Sequence, residues 1–255
     1  MGRLRAIFIS YVLVFGTFAQ TQQSTSTAGP QAASFLRRTV AAMTAGLQVN
    51  GVTLSGNVSY SGVSGTSQGS FTFVAANNGQ SRFDANLPSG TLTESRTVLQ
   101  GVPSGSGIGP GGTSYTVNAQ NPMTASAWFF PVFALSARLP ARTYGKSYVA
   151  QETKDGVAAY HLTVWQQANG ASADVATAVQ VSTLENMYLQ SSSRILVAVA
   201  FKLHPASTSS TTDVPVEIHY SNFKISQGVS IAYHIQVFMN NAVVWDIQIS
   251  SVSLT

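Results

Sequence analysis

Two C-terminal stretches alternate apolar and polar residues with period two, and that pattern restricts the fold more than any other feature of the chain. From Val229 to Met239 the odd positions are Val229, Ile231, Tyr233, Ile235, Val237 and Met239, separated by Ser230, Ala232, His234, Gln236 and Phe238. Over residues 243–249, Val243, Trp245, Ile247 and Ile249 alternate with Val244, Asp246 and Gln248. Successive side chains of a strand point to opposite faces, so each stretch reads as a strand with one apolar and one mostly wet face. A sheet built this way must cover its apolar face with a second sheet, a helix, a membrane or a bound apolar molecule.

Similar strand-like runs occupy residues 52–60, 69–76, 80–87, 91–99, 147–153, 157–166, 184–190, 195–204 and 214–220. Asn77-Asn78-Gly79, Pro88-Ser89-Gly90 and Lys154-Asp155-Gly156 supply turns between them, and such short links favour antiparallel neighbours. Residues 101–112 read as a Gly/Pro/Ser loop, with a short strand over 114–118. Roughly eleven strands are expected to share one sheet system. Two segments read as helices. In 34–45, Phe35, Leu36, Val40 and Met43 share a face, Ser34 is placed to cap and Gly46 to stop. The second, 125–138, carries Trp128, Phe129, Phe130, Val132, Phe133 and Leu135, and Pro131 must kink or break it. The expected fold is mainly β (α+β): a large curved antiparallel sheet or incomplete barrel, with one N-terminal helix and one inserted helical segment.

Register can be argued for the two last hairpins. A one-residue slip moves every side chain to the other face, so facing residues in the last hairpin must have an even sum. A three-residue loop, Asn240-Asn241-Ala242, satisfies this and sets Val237 opposite Trp245 and Ile235 opposite Ile247. The preceding hairpin needs an even loop, either Gln227-Gly228 or residues 225–228.

Composition narrows the function. Only 9% of the 255 residues are charged, against about 25% in an average soluble domain. With 44% hydrophobic residues there is material for one large core, and residues 31–255 are expected to form a single β-rich domain. The absence of cysteine excludes disulfides, thiolate metal sites, cysteine nucleophiles and a cysteine-borne lipid anchor. Net charge is +4, of which Arg3 and Arg5 supply two, and no Lys/Arg cluster exists to follow phosphates, so nucleic acid is not an expected partner.

Arg3 and Arg5 precede a thirteen-residue apolar run, 6–18, and Thr17-Phe18-Ala19 ends in the small residues that a signal peptidase reads. Residues 1–19 are therefore read as a signal peptide and 20–30 as a disordered Gln/Ser/Thr-rich linker. The run is shorter than the roughly 20 residues that span a bilayer. The protein is expected to be exported, periplasmic or extracellular, and not an integral membrane protein.

Several motifs lack the context their chemistry needs. Gly65-Thr66-Ser67-Gln68-Gly69 has the letters of a hydrolase nucleophile elbow, but a strand-like stretch follows where a helix is required. Gly107-Ile108-Gly109-Pro110-Gly111-Gly112 has the spacing of a dinucleotide loop with no helix behind it. His161, His204, His219 and His234 all fall on or beside strands, and Glu217 shares a face with His219. A four-residue loop would set His234 opposite His219 and offer two or three metal ligands, but no fourth ligand is apparent and solvent-facing histidines are the favoured reading. No catalytic residue, metal or cofactor is expected.

The run 33–48 followed by 52–60, then 83–96, and the closing stretches Tyr220-Ser221-Asn222-Phe223-Lys224, Gly228-Val229-Ser230-Ile231 and Asp246-Ile247-Gln248-Ile249-Ser250 resemble the LolA/LolB-like superfamily of outer-membrane lipoprotein carriers. That resemblance implies an incomplete β-barrel whose open mouth is covered by helices and whose apolar cavity shelters acyl chains. The missing cysteine departs from an anchored lipoprotein of the LolB kind.

The leading expectation is an exported, non-enzymatic protein that binds an apolar small molecule or lipid in a curved sheet. Trp128, Phe129, Phe130 and Phe133 with Phe201, Tyr233 and Trp245 are the expected lining residues, and an envelope protein is a further expected kind of partner. The alternative is a structural or adhesive envelope module in which the same aromatics are ordinary core. An outer-membrane barrel and a hydrolase are the other readings that the alternation and the Gly-x-Ser-x-Gly letters leave open.

Overall fold

The computed structural model describes residues 28–62, 65–99, 102–109, 112–117, 125–203 and 213–255. The expected signal peptide, most of the expected linker and His204 lie outside these residues. The described strands are β1 (Gly51–Gly62), β2 (Gly65–Ala76), β3 (Ser81–Leu87), β4 (Gly90–Leu99), β5 (Val102–Ile108), β6 (Ser114–Val117), β7 (Tyr144–Lys154), β8 (Val157–Gln166), β9 (Glu185–Gln190), β10 (Leu196–Leu203), β11 (Val214–Ser226), β12 (Val229–Met239) and β13 (Ala242–Leu254). They form one 13-stranded antiparallel sheet in the order β6-β5-β4-β3-β2-β1-β13-β12-β11-β10-β9-β8-β7. Apart from the β1–β13 seam, every pairing in the sheet joins strands that are consecutive in the chain. The order ends at β6 and β7, so the sheet is open and not a closed barrel.

The chain between those two free ends is the helical insertion. A 3₁₀ turn, Ala125–Trp128, precedes α2 (Pro131–Ala137), and Pro131 opens α2 at a position where its missing N–H costs nothing. Pro131 thus divides the expected 125–138 helix in two. The N-terminal helix α1 (Ala28–Thr44) starts inside the stretch read as linker, so Ser34 lies in its interior and does not cap it. Ala32, Leu36, Thr39 and Met43 are buried at helical spacing, and α1 packs on β7, β12 and α2. A third helix, α3 (Ala173–Ser182), was not evident from the sequence: it buries no residue, so no 3.6-residue apolar period marks it.

Three further expectations need correction. Residues 102–108 are strand β5, not loop, held by ladders to β4 and β6. Gly107 faces Tyr115, and a Cβ there would sit 2.1 Å from the phenol ring, so glycine lets this aromatic of the edge strand β6 lie across β5. Thirteen strands replace the roughly eleven expected. In the last hairpin Val237 does face Trp245 and Ile235 does face Ile247, but the loop is Asn240-Asn241, both with positive φ, and a bulge between Val237 and Phe238 restores the parity. The preceding hairpin uses the two-residue Gln227-Gly228 turn, with Ser226 opposite Val229.

The letters Gly65–Gly69 open strand β2. A Cβ on Gly69 would meet the Asn86 carbonyl oxygen at 1.9 Å, so close approach of β3, not a catalytic elbow, accounts for that glycine. The apolar set of the strands faces the helices. Phe73, Ala85, Leu162, Met187, Val199, Ile218, Val237 and Ile247 are all essentially inaccessible on this inner face. Burial of such side chains, at about 25 cal/mol per Å² of apolar surface, is what holds α1 and α2 in the hollow of the sheet.

Candidate functional site

The two ends of the sheet are brought together around α2. One cavity of about 280 Å³ is lined by Phe73, Ala75, the turn Asn77–Gly79, Arg96 and Val98 from one wing and by Thr143, Tyr144 and Gln166 from the other, with Phe130, Phe133, Ala134, Ala137 and Arg138 of the insertion between them. β4 and β7 lie near opposite ends of the strand order, so their meeting here measures how far the sheet curls.

The seven expected lining residues fall into three groups. Phe130 and Phe133 line this cavity, with their rings edge to face at 4.8 Å. Trp128, Phe129 and Trp245 are buried behind it. Phe83, which the sequence reading did not single out, joins two of these, meeting Phe129 at 5.0 Å and Trp245 at 5.5 Å. Phe201 and Tyr233 stand elsewhere. Phe201 borders a separate, wide cleft, and the Tyr233 ring lies 4.5 Å from the Lys224 ammonium.

Behind the cavity lies a buried charge cluster. Arg138, just past α2, forms an ion pair with Glu185 of β9, and both are nearly inaccessible. Its guanidinium also donates to the Ala134 carbonyl at 2.9 Å and lies 4.6 Å over the Trp128 ring. Burial opposes the charge of Arg138, but the Glu185 carboxylate outweighs it and holds the guanidinium protonated, above its usual value. Burial in turn pushes the Glu185 carboxyl up against the pull of Arg138. The Tyr220 hydroxyl donates to the Trp128 carbonyl at 2.9 Å and is pushed well above its ordinary value by burial. Glu94, on β4, accepts from the Ser126 hydroxyl. These residues were missed because charged groups were read as solvent-facing. Parity carried the signal: Glu185 shares the inner face with Met187 and Leu189, and Glu94 and Arg96 share it with Leu92 and Val98.

The outer face carries polar ladders. Glu217 pairs with Lys154 and with His219, whose other ring nitrogen lies 3.2 Å from Asp155. The hydrogen bond from His219, together with Lys154, holds the Glu217 carboxyl down at about 2 against burial. The donor atoms of Asp155, Glu217 and His219 lie within 4.8 Å of one another, but the Lys154 ammonium already shares that carboxylate. His219 faces Gln236 and not His234, so the two-histidine metal arrangement does not form. His234 instead donates to Asp246 at 3.1 Å and shares a 3.1 Å hydrogen bond with Ser221. Gln236 and Gln248 donate to the same carboxylate. This Ser–His–Asp chain has the connectivity of a catalytic triad, yet it runs across three strands on the open outer face, and the neighbouring hollow is lined by Asp246 and Gln248 and not by Ser221.

No protein-family model matches the sequence, and no curated protein matches it. Solved structures do. A domain assigned to outer-membrane lipoprotein sorting from Vibrio parahaemolyticus superposes with a TM-score of 0.53 at 8% identity, covering 89% of this chain and 93% of its own. The chain shares the fold of this domain. A LolA superfamily protein from Nitrosomonas europaea gives 0.52 at 12% identity over 88% and 93% of the two chains. A DUF1329 family protein from Desulfovibrio piger gives 0.57 at 8% identity over 90% and 94%. No helix among the described residues is long and apolar enough to cross a membrane.

Proposed function

We propose that this LolA-like protein is an exported, non-enzymatic carrier that holds an apolar ligand, an acyl chain or another lipid, at the mouth of its curved sheet. One observation carries this reading: the cavity of about 280 Å³ between the two wings of the sheet, walled by Phe73, Phe130, Phe133 and alanines of α2. Ligand sites are concave and mostly apolar, with a few polar groups that set orientation, and this cavity has that make-up. The leader-like residues 1–19 support export to the periplasm or beyond, and an envelope protein is the partner that would hand over or receive the cargo. The packing of Trp128, Phe129 and Trp245 into the core favours the second reading, a structural or adhesive module without cargo.

Organic extraction of protein purified without detergent, followed by mass spectrometry, tests the proposal. A co-purifying lipid at near-stoichiometric amount is expected, and Phe133→Asp is expected to abolish it while the fold survives, because Phe133 is only half-buried. An empty protein that also ignores a fluorescent fatty acid in titration would leave only the structural module.

A further inference from the structure

Five of the 13 basic residues gather on the wing of the sheet that holds α1, and none of them meets a carboxylate. Arg37 and Arg38 project from α1, which carries no acidic residue. The Arg37 guanidinium lies close enough to repel the Lys146 ammonium on β7. Lys146 donates to the Tyr144 carbonyl at 2.9 Å and to the Pro140 carbonyl at 3.4 Å, and Arg142 stands in the loop between those two acceptors. Arg194, in the turn between β9 and β10, lies 4.6 Å over the Tyr160 ring and 5.7 Å from Phe35 of α1. Among the described residues none of the five forms an ion pair. The acidic residues of this wing are engaged elsewhere. Glu185 holds Arg138 inside, while Glu152 meets His161 and Asp155 meets His219. Asp174 stands in the first turn of α3, at the positive end of that helix. Arg37, Arg38 and Arg142 are exposed, so their charge faces solvent.

Two of these cations flank the mouth. Thr143 and Tyr144, which wall the cavity, lie in the chain between Arg142 and Lys146. Farther along β7, Val149 is 51% exposed at a bulge and adds an apolar side chain to the same strand. We propose that this wing is a docking surface for an anionic phospholipid bilayer, engaged through Arg37, Arg38, Arg142, Lys146 and Arg194. A bilayer attracts each Lys or Arg that comes within about a Debye length of its surface and demands no fixed register between charges. That suits cations spread over a helix, a loop, a strand and a turn. The mouth that would take up or release a lipid opens among them, so the choice of a bilayer over an acidic protein segment rests on the carrier reading. The uncompensated charge does not.

Co-sedimentation of the full-length protein with vesicles tests the docking. Phosphatidylglycerol mixed into phosphatidylcholine is expected to bind at least about tenfold more tightly than phosphatidylcholine alone, with the difference lost in high salt. The triple variant Arg37→Gln, Arg38→Gln, Arg142→Gln changes only exposed side chains and is expected to weaken binding to the anionic vesicles by about 100-fold, at about fivefold per charge. A control triple, Arg82→Gln, Lys202→Gln, Lys224→Gln, removes the same charge from other strands and is expected to weaken it by less than about fivefold. All variants keep residues 1–27, so differences between them report on the wing, and far-ultraviolet circular dichroism confirms that each is folded. An anionic preference that survives the wing variant overturns the proposal. Equal losses in the two triples overturn it as well, because net charge alone would then account for binding. Binding to soluble polyglutamate with none to vesicles gives the wing an acidic protein partner and overturns the bilayer assignment. Failure to bind either one overturns the docking surface altogether. A fluorescent fatty acid titrated into the natural protein reads the carrier proposal separately: a bound probe with no vesicle binding removes the docking alone, and vesicle binding with no bound probe removes the carrier reading alone.

Discussion

Glu185 and Glu217 stand on opposite faces of the same sheet, and each meets a cation. Glu185 is about 1% exposed and holds Arg138 beneath α2, whereas Glu217 is 30% exposed and is shared between Lys154 and His219. Inside, burial dominates: it pushes the Glu185 carboxyl up and would leave either partner stranded if the other were lost. Outside, water and several donors stabilise the charge, and the Glu217 carboxyl falls to about 2. The inner pair is thus a structural commitment that fixes the insertion against the strands behind the cavity. The outer pair is one contact in a screened ladder.

The sharpest way to break this contrast is Glu185→Ala. It leaves the Arg138 guanidinium buried without its counter-ion and is expected to cost about 3–5 kcal/mol in urea unfolding. Replacing both partners, Glu185→Leu with Arg138→Met, is expected to cost far less, because no uncompensated charge remains. Tyr220→Phe comes next. It removes the donor to the buried Trp128 carbonyl, with an expected loss of about 1–3 kcal/mol. On the outer face Glu217→Gln is expected to cost about 1 kcal/mol or less at neutral pH. Because the folded carboxyl lies below its ordinary 4.5, its contribution is complete above that value and is lost as the pH falls toward about 2. Glu217→Gln should therefore flatten the acid limb of a stability–pH curve over that window. Ser221→Ala, at an exposed position of the outer chain, is expected to change stability by less than about 0.5 kcal/mol.

Much of this architecture was legible in the sequence because period-two alternation reports directly on which face is covered. The pairings Val237–Trp245 and Ile235–Ile247 followed from parity alone. Parity could not locate the bulge near Val244, since a three-residue loop and a two-residue loop with one extra strand residue satisfy the same even sum. Strand β5 was hidden for a different reason. Its Ser and Gly residues carry no apolar alternation, and it exists because β4 and β6 complete its ladders. Helix α3 left no trace because it buries nothing. At the site, the aromatic run 128–133 was visible by composition, but Arg96, Arg138 and Glu185 were not. Their significance lies in sitting at inner-face positions, a pattern that parity displays only when charged residues are tracked along with apolar ones.

The three tryptophans offer a direct test of where the ligand lies. Trp245 is on the inner face and Trp128, in the insertion, packs on Arg138 just behind the cavity, whereas Trp165 alternates with the buried Leu162 and Val164 and lies on the outer face against Gly145. Single-tryptophan variants made by Phe substitution at the other two positions can be titrated with a dodecyl ligand brominated along its tail, which quenches only nearby indoles. Saturable quenching of Trp128, with Trp165 unaffected, is the predicted result. Quenching confined to Trp165, or none at either position, would contradict a ligand held in the mouth of the sheet.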